Sequence, residues 1–468
     1  MSSAPSSFDF DLLVIGAGSA GYNGARTAAR LGLRVALVDG AKELGGLCIL
    51  RGCMPSKALI AAGNRARIAR KSAEFGVQTN GVAIDARRIV ERKNELIADF
   101  ASDRREGIKN GPFTFIHSNA VFVDPHTVEI EGRPVTSRSF LIATGSIQNP
   151  PPVLGLSDIG CLDSDAALNL TEIPKSLIIL GAGAVSLEFA NYFNALGTKV
   201  TILQRSSHIL KGADTDVADC LRASLEKLGI EIITGAKFLG AQRSATGKSI
   251  TFAAENETLP RTIEAAEVFN GLGRSPNLRG LGLENAGIVF KNGCLEVEPT
   301  QQTGVPHIFA AGDAAGPHEI VHIAIQQAEV AVRNAGRIVR GETAAPLEQT
   351  DYRSKLFVLF TSPEVAFVGL TEREAAAAGI DFGVATYPFD DHGKSMVLGE
   401  TDGFVKLIAR RPIGEIIGAA VIGPEASSLV HEIVAVMHFR GSAADIARMP
   451  HYHPTLSEIW TYPAEELM

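Results

Sequence analysis

Asp11-Leu-Leu-Val-Ile-Gly-Ala-Gly-Ser-Ala-Gly21 is a short apolar run that passes directly into a glycine-rich turn. Such a run, cut off by glycine, reads as a buried strand. Residues 22–31 carry small side chains at Ala25, Ala28 and Ala29 and read as a helix, and residues 34–38 read as a second strand ending on Asp39. Strand, turn, helix and strand make a βαβ unit. Gly16, Gly18 and Gly21 give the tight turn and close backbone approach that a pyrophosphate needs, and Asp39 is placed to accept hydrogen bonds from a ribose.

Further along the chain the pattern repeats. Residues 176–180 read as a strand, Gly181-Ala-Gly183 opens the turn, residues 188–196 read as a helix and 200–203 as the next strand. The third fingerprint position carries Ser186, still small enough for helix–strand packing. Two dinucleotide folds imply two dinucleotides.

Between them lies Gly45-Gly-Leu-Cys-Ile-Leu-Arg-Gly-Cys-Met-Pro-Ser-Lys57, which holds Cys48 and Cys53, two of only five cysteines. On one regular helix these Cα atoms would stand roughly 8–9 Å apart, beyond the ~7 Å a disulfide spans. The segment is therefore not expected to be helical throughout. Pro55 suits a first helical turn and Gly52 lets the chain bend before it. That places Cys53 at a helix N-terminus, which favours a thiolate, and Cys48 in the turn leading in, as the freer, attacking thiol. The asymmetry suits a dithiol/disulfide relay. A zinc site and an inert buried pair are the competing readings; the remaining cysteines, Cys161, Cys220 and Cys294, are scattered singly, whereas a structural zinc needs four ligands. A cysteine pair directly after the first nucleotide fold suggests a flavin beside the disulfide and a nicotinamide that exchanges electrons with it.

Composition narrows the classes. The 468 residues, 46% hydrophobic and 21% charged, suffice for two to four globular domains, and the net charge of −8 argues against a nucleic-acid binder. No apolar run approaches the ~20 residues of a membrane span. The first ten residues are Ser-rich and acidic, without the basic and apolar regions of a secretory signal. A cytoplasmic location is expected.

Residues 141–145, Leu-Ile-Ala-Thr144-Gly145, read as a strand entering a turn, and Gln148-Asn-Pro-Pro-Pro152 as a stiff domain crossover. Beyond the second unit come Gly273-Arg274-Ser-Pro-Asn277 and a strand ending in Gly312-Asp313, whose carboxylate is able to meet a ribityl or phosphate-side hydroxyl. From Tyr352 on, alternating strands (355–360, 403–409) and helices (426–439, 442–447) suggest a separate α+β domain. Near the end, His453-Pro-Thr-Leu-Ser-Glu458 can set a carboxylate under an imidazole and fix its tautomer.

In this order, the motifs resemble the FAD-dependent pyridine nucleotide–disulfide oxidoreductases over nearly the whole chain, and among them the dihydrolipoyl (lipoamide) dehydrogenases. The resemblance implies an α/β fold with two Rossmann-like dinucleotide-binding domains, for FAD and NAD(P), and a C-terminal α+β dimerisation domain. The expected division is 1–150 (FAD and redox disulfide), 151–272 (NAD(P)), 273–347 (return to the FAD side) and 348–468 (homodimer interface). It also implies that Cys48 is the interchange thiol and Cys53 the thiolate in charge-transfer contact with the flavin. Lys57 and Glu188 resemble the ion pair beside the flavin, and His453 with Glu458 the acid/base dyad acting across the dimer. No metal is implied. The partner is a small dithiol or disulfide, or a lipoyl-carrying protein.

Three departures bear on specificity. Leu47 and Ile49-Leu-Arg51 stand where lipoamide enzymes usually have Thr and Leu-Asn-Val. The strand end that carries a ribose-binding Glu in NAD enzymes carries Gln204, followed by Arg205 and, six residues on, Lys211. Losing the acid and gaining cations resembles the NADP-linked members. An NADPH-dependent reductase of another small disulfide, as in glutathione or mercuric reductases, and a pyridine nucleotide transhydrogenase are the alternatives. No cysteine follows Cys294, so the C-terminal vicinal pair of mercuric reductases is absent.

Overall fold

The computed structural model describes residues 7–150, 152–255, 257, 259–291, 293–316, 318–342 and 344–468. Residues 1–6 and Pro151, on which the readings of the N-terminus and of the proline connector partly rest, lie outside them. The chain divides into two compact units. One comprises Met1–Ser56, Arg92–Pro150 and Gly273–Asp351; the other comprises Lys57–Glu91, Pro151–Leu272 and Tyr352–Met468.

The first unit is built on a seven-stranded sheet. Phe10–Ile15 lies parallel between Val35–Val38 and Arg133–Ile142, with Thr114–Ile116 beyond the former and Ile308–Ala310 parallel to the latter. Leu12 to Val14 and Ala36 to Val38 are wholly buried. A parallel sheet covered on both faces requires this, which is why these strands read as unbroken apolar runs. Helices Ser19–Arg30 and Val321–Val339 pack small residues, Ala25, Ala28, Ala328 and Ala331, into one core with Leu12, Val14 and Leu141.

The second unit carries a four-stranded parallel sheet in the order Glu231–Ile233, Lys199–Leu203, Ser176–Leu180, Glu267–Asn270. It also holds a five-stranded antiparallel sheet in which Glu415–Gly423 lies between Glu364–Gly369 and Phe404–Arg410. These C-terminal strands do not alternate as expected. Val405 to Ala409 are buried in succession, because the middle of the sheet is covered on both sides.

Helix boundaries shift toward the glycine turns. The first begins at Ser19 and the second, Ala184–Ala195, at Ala184, three and four residues earlier than the sequence pattern suggested. Gly18 and Gly183 are the N-caps, so the third fingerprint positions, Gly21 and Ser186, are already helical.

Candidate active site

The cysteine segment is two helices, not a turn and a helix. Leu47–Leu50 forms a single helical turn containing Cys48, and Cys53–Lys71 starts at Cys53 itself. The turn closes because Leu50 and Arg51 donate their N–H groups to Gly46 and Leu47 carbonyls at 3.2 and 2.9 Å. Gly52 breaks the run. A Cβ there would lie 3.0 Å from the Leu47 oxygen and 3.1 Å from the Cys48 Cα, so only glycine lets the second helix begin this close to the first. Pro55 falls in the first turn of the long helix, where its missing N–H costs nothing.

Cys48 and Cys53 stand as thiols. A hydrogen bond to Cys53, then burial, push the Cys48 thiol far above its usual range, and the Arg104 guanidinium works weakly against this. Cys48 therefore keeps its proton at neutral pH. The expectation of a freer attacking thiol changes accordingly: Cys48 needs a base to become a nucleophile. Arg104 is itself held 4.4 Å above the Tyr22 ring, and sequence pattern gave no sign of it.

The two nucleotide turns are built alike. At φ 102° Gly16 admits no side chain, since a Cβ would lie 2.4 Å from the Ala143 oxygen, and a Cβ at Gly21 would fall 1.8 Å from the Gly16 oxygen. A Cβ at Gly18 or Gly183 would meet nothing within 4 Å, so the middle glycine faces open space. Neither helix start is capped by a side chain. Asp39 Oδ2 accepts the Ala17 N–H at 2.6 Å, and Gln204 Oε1 accepts the Ala182 N–H at 3.1 Å. In the first unit Thr144 Oγ1 is buried without a hydrogen-bond partner among the described residues, next to Gly145 at φ 71°. An open glycine, uncapped amides and an orphaned hydroxyl fit a phosphate-bearing cofactor at the Gly16–Gly21 turn.

Other residues expected at the cofactor are brought together by a partner the sequence pattern did not single out. Ser146 donates its hydroxyl to Asp313 Oδ2 at 2.7 Å and accepts from Arg274 Nε at 2.8 Å, while Arg274 Nη2 also reaches the Ser146 carbonyl at 2.8 Å. Gly273 leads into the short strand that pairs with Ser146–Gln148, and the Gly312 N–H is taken by buried Gln327 at 2.8 Å.

In the second unit, Lys57 Nζ lies 2.7 and 2.9 Å from the two Glu188 oxygens. Glu188 is nearly buried, and its Oε1 also accepts the Phe360 N–H at 3.1 Å; the Phe360 ring lies 4.9 Å from the ammonium. Gly181 opens the same turn at φ 92°. Arg205 and Lys211 are exposed, and no hydrogen bond or ion pair among the described residues joins Arg205 to another group.

His453 Nδ1 lies 3.0 Å from Glu458 Oε2, with 79% of the His453 side chain exposed and only 12% of Glu458. Two positions after Glu458, Trp460 is fully buried and its indole donates to the Leu429 carbonyl at 3.2 Å. Of the residues around this pair, His392 was invisible in the sequence: it lies 66 positions before Glu458, yet its Nε2 is 3.6 Å from Glu458 Oε1.

Comparison with known proteins places this geometry. The family described as pyridine nucleotide-disulphide oxidoreductase matches residues 10–335, and the dimerisation domain of those enzymes matches residues 357–464. Dihydrolipoyl dehydrogenase of Geobacillus stearothermophilus is 38% identical, over 97% of this chain and 95% of its own length. Mercuric reductase of Staphylococcus aureus is 32% identical over 94% of this chain and 79% of its own. The HOCl-induced flavoprotein disulfide reductase RclA from Escherichia coli matches with a TM-score of 0.83 and 27% identity, covering 98% of this chain and 100% of that one. No helix among the described residues is long and apolar enough to cross a membrane. With its paired cysteines, its two nucleotide turns and its dimerisation domain, the chain belongs to the pyridine nucleotide-disulphide oxidoreductase family and is a flavin- and NAD(P)-dependent disulfide oxidoreductase.

Proposed function

We propose that the chain oxidises dihydrolipoyl dithiols, as free small molecules or on a carrier protein, and passes the electrons to a nicotinamide. In this reading residues 1–150 and 273–347 hold FAD, 151–272 hold the nicotinamide cofactor and 348–468 form the homodimer contact. The observation that carries it is the cysteine pair: one sulfur at a helix N-terminus, the other keeping its proton by hydrogen bonding to the first.

The thiol chemistry follows from these groups. With Cys48 and Cys53 joined as a disulfide, a substrate thiol loses its proton to the His453 that the other subunit of the homodimer contributes and attacks the Cys48 sulfur. The Cys48–Cys53 bond breaks and its electron pair stays on Cys53, at the helix end that favours the anion. The second substrate thiol then attacks the substrate sulfur of the mixed disulfide and displaces Cys48, its proton passing to the leaving Cys48 sulfur, so that His453 keeps the first proton and Cys53 is left as the thiolate. Glu458 orients that imidazole throughout. Gly16, Gly18, Gly21, Asp39, Thr144, Gly145, Gly312 and Asp313 would hold FAD, which would supply two-electron transfer between the dithiol and the nicotinamide. In the second unit Lys57 and Glu188 form a fixed charge pair, and Gly181 and Gly183 would open the second nucleotide turn.

A second reading is favoured by Gln204 and the unpaired Arg205: an NADPH-linked reductase of another small disulfide. Steady-state turnover of dihydrolipoamide by the FAD-loaded dimer, against NADPH-driven reduction of glutathione disulfide and of lipoamide, tests both. Dihydrolipoamide oxidation at tens per second supports the first. Turnover only in the reductive direction with a different disulfide overturns it, and hydride exchange between nicotinamides without any thiol turnover would indicate a transhydrogenase.

A further inference from the structure

His392 closes the turn Phe389–Asp391 and precedes the helix Gly393–Leu398. Its ring is fully buried, yet its Nε2 has no hydrogen-bond partner among the described residues. A buried unpaired ring nitrogen is costly, and this one points at one object, the Glu458 carboxylate, 3.6 Å away. Nδ1, on the far side, lies 2.9 Å from the hydroxyl of Ser395, which is also fully buried. Aromatic rings stand near it, Phe389 at 6.3 Å and Tyr462 at 6.4 Å, with Tyr387 stacked on Tyr462 and its hydroxyl donating to Asp391.

We infer that His392 is a positioning residue for the thiol half-reaction, holding the Glu458 carboxylate from the side opposite His453 and thereby fixing which nitrogen of His453 carries the proton. This rests on the proposal that His453 is the acid/base group.

The tautomer of His392 follows from its surroundings. A lone pair on Nε2 would face a carboxylate oxygen across a buried gap, whereas an Nε2–H is attracted to it. Nδ1 is then the acceptor, and the Ser395 O–H donates to it. Burial lowers the His392 pKa more than the Glu458 charge raises it, so the ring stays neutral and does not neutralise Glu458. Glu458 Oε1 is thus held by the Thr455 N–H at 3.3 Å and faced by His392, while Oε2 is left for His453 at 3.0 Å. A carboxylate held on one oxygen cannot rotate away from the other's partner. His453 then keeps its proton on Nδ1 and presents Nε2 as the base. Within its own subunit, Glu458 is the side chain that is hydrogen-bonded to the His453 ring among the described residues.

The test uses the FAD-loaded dimer labelled with ¹⁵N histidine, in wild type, His392→Leu and His392→Gln, at a pH where His453 is neutral. Its ring ¹⁵N shifts report the tautomer without any turnover. The wild type is expected to show a single Nδ1–H form and His392→Leu a mixture of both. His392→Gln, whose amide N–H reaches Glu458, restores the single form. Dihydrolipoamide kcat falls on the order of tenfold to a hundredfold in His392→Leu, as is typical of losing a group that orients a ligand or base, and returns in His392→Gln. A His453 tautomer unchanged in His392→Leu overturns the assignment, whatever happens to thermal stability. So does a mixture in both variants, which would reflect repacking rather than the lost N–H. If the wild type fails to oxidise any dithiol, the proposed function falls, while the ¹⁵N readout still decides the role of His392.

Discussion

Lys57 and Glu188 are 131 positions apart in the chain, yet the Lys57 ammonium touches both Glu188 oxygens, at 2.7 and 2.9 Å. Glu188 is a carboxylate with only 7% of its side chain exposed, and among the described residues its one hydrogen-bond donor apart from Lys57 is the Phe360 N–H. Replacing Lys57 by Met leaves that anion with a single neutral donor. A hydrogen bond to a charged group is worth about 1.5–3 kcal/mol, and Lys57→Met is expected to lower unfolding free energy by that amount in urea denaturation. Adding Glu188→Gln recovers part of the loss. Equal destabilisation by the single and double variants would show that the pair is not coupled.

The two cysteines are distinguished by their hydrogen bond. The hydrogen bond to Cys53, then burial, favour the protonated form of Cys48, so the charge is expected on Cys53, at the helix N-terminus. In reduced enzyme, Cys48→Ser retains the long-wavelength thiolate-to-flavin absorption and Cys53→Ser abolishes it. Both variants lose dithiol turnover, since either loss removes the disulfide. A band that survives in Cys53→Ser and vanishes in Cys48→Ser would reverse the two roles.

How far these sites could be read beforehand depended on sequence separation. The nucleotide turns were legible because Gly16 to Asp39 is one local unit whose strand, turn and helix each leave a short-range pattern. His453 and Glu458 were legible for the same reason, five positions apart. Cys48 was misplaced in a turn because Leu47–Leu50 is too short to show a helical period, and its single turn is closed by backbone bonds to Gly46 and Leu47. Ser146, His392 and Phe360 reach their partners from 167, 66 and 172 positions away, through tertiary packing that no local pattern records. Val405 to Ala409 misled for a related reason: a strand central in its sheet has no solvent face, and alternation disappears.

Lys406 lies in that strand, fully buried, with its ammonium 2.5 Å from Glu372, 2.6 Å from Asp216 and 3.5 Å from Asp214. Burial opposes its charge, but the hydrogen bonds it donates to Asp216 and Glu372 outweigh it and raise its pKa above the ordinary lysine value. A group whose pKa is raised on folding stabilises the fold below its unfolded value and loses that contribution as pH rises through the folded one. The wild type is therefore expected to lose stability in strongly alkaline solution. Asp216 and Glu372 keep 46% and 39% of their side chains exposed, so water replaces part of what they lose; Lys406→Met should cost about 1–3 kcal/mol at neutral pH and flatten the alkaline limb. Thermal denaturation of both proteins from pH 7 to 11 checks it; parallel curves would mean that Lys406 is not the titrating group.

The choice of nicotinamide turns on Gln204. Asp39 and Gln204 perform the same task in their two units: each accepts the N–H of the residue after the first glycine, Ala17 or Ala182, from 22 positions on. Asp39 does so with a charge, Gln204 without one. The amide end of Gln204 is committed to Ser206 Oγ at 2.5 Å and to the His208 carbonyl at 3.3 Å, so the strand end is neutral and braced. A carboxylate at this position would repel a 2′-phosphate; an amide does not. Arg205 follows at once, exposed and unpaired among the described residues, able to fork onto phosphate oxygens. One such charge-assisted contact, worth about 1.5–3 kcal/mol, gives roughly a tenfold to hundredfold preference for NADP(H). Arg205→Ala is expected to lower kcat/KM for NADP(H) by that factor and leave NAD(H) nearly unchanged, and Gln204→Glu to favour NAD(H) while keeping the bond to Ala182. A wild-type preference for NAD(H), unmoved by Arg205→Ala, would make Arg205 a solvated strand-end charge and leave the enzyme with the NAD-linked dihydrolipoyl chemistry.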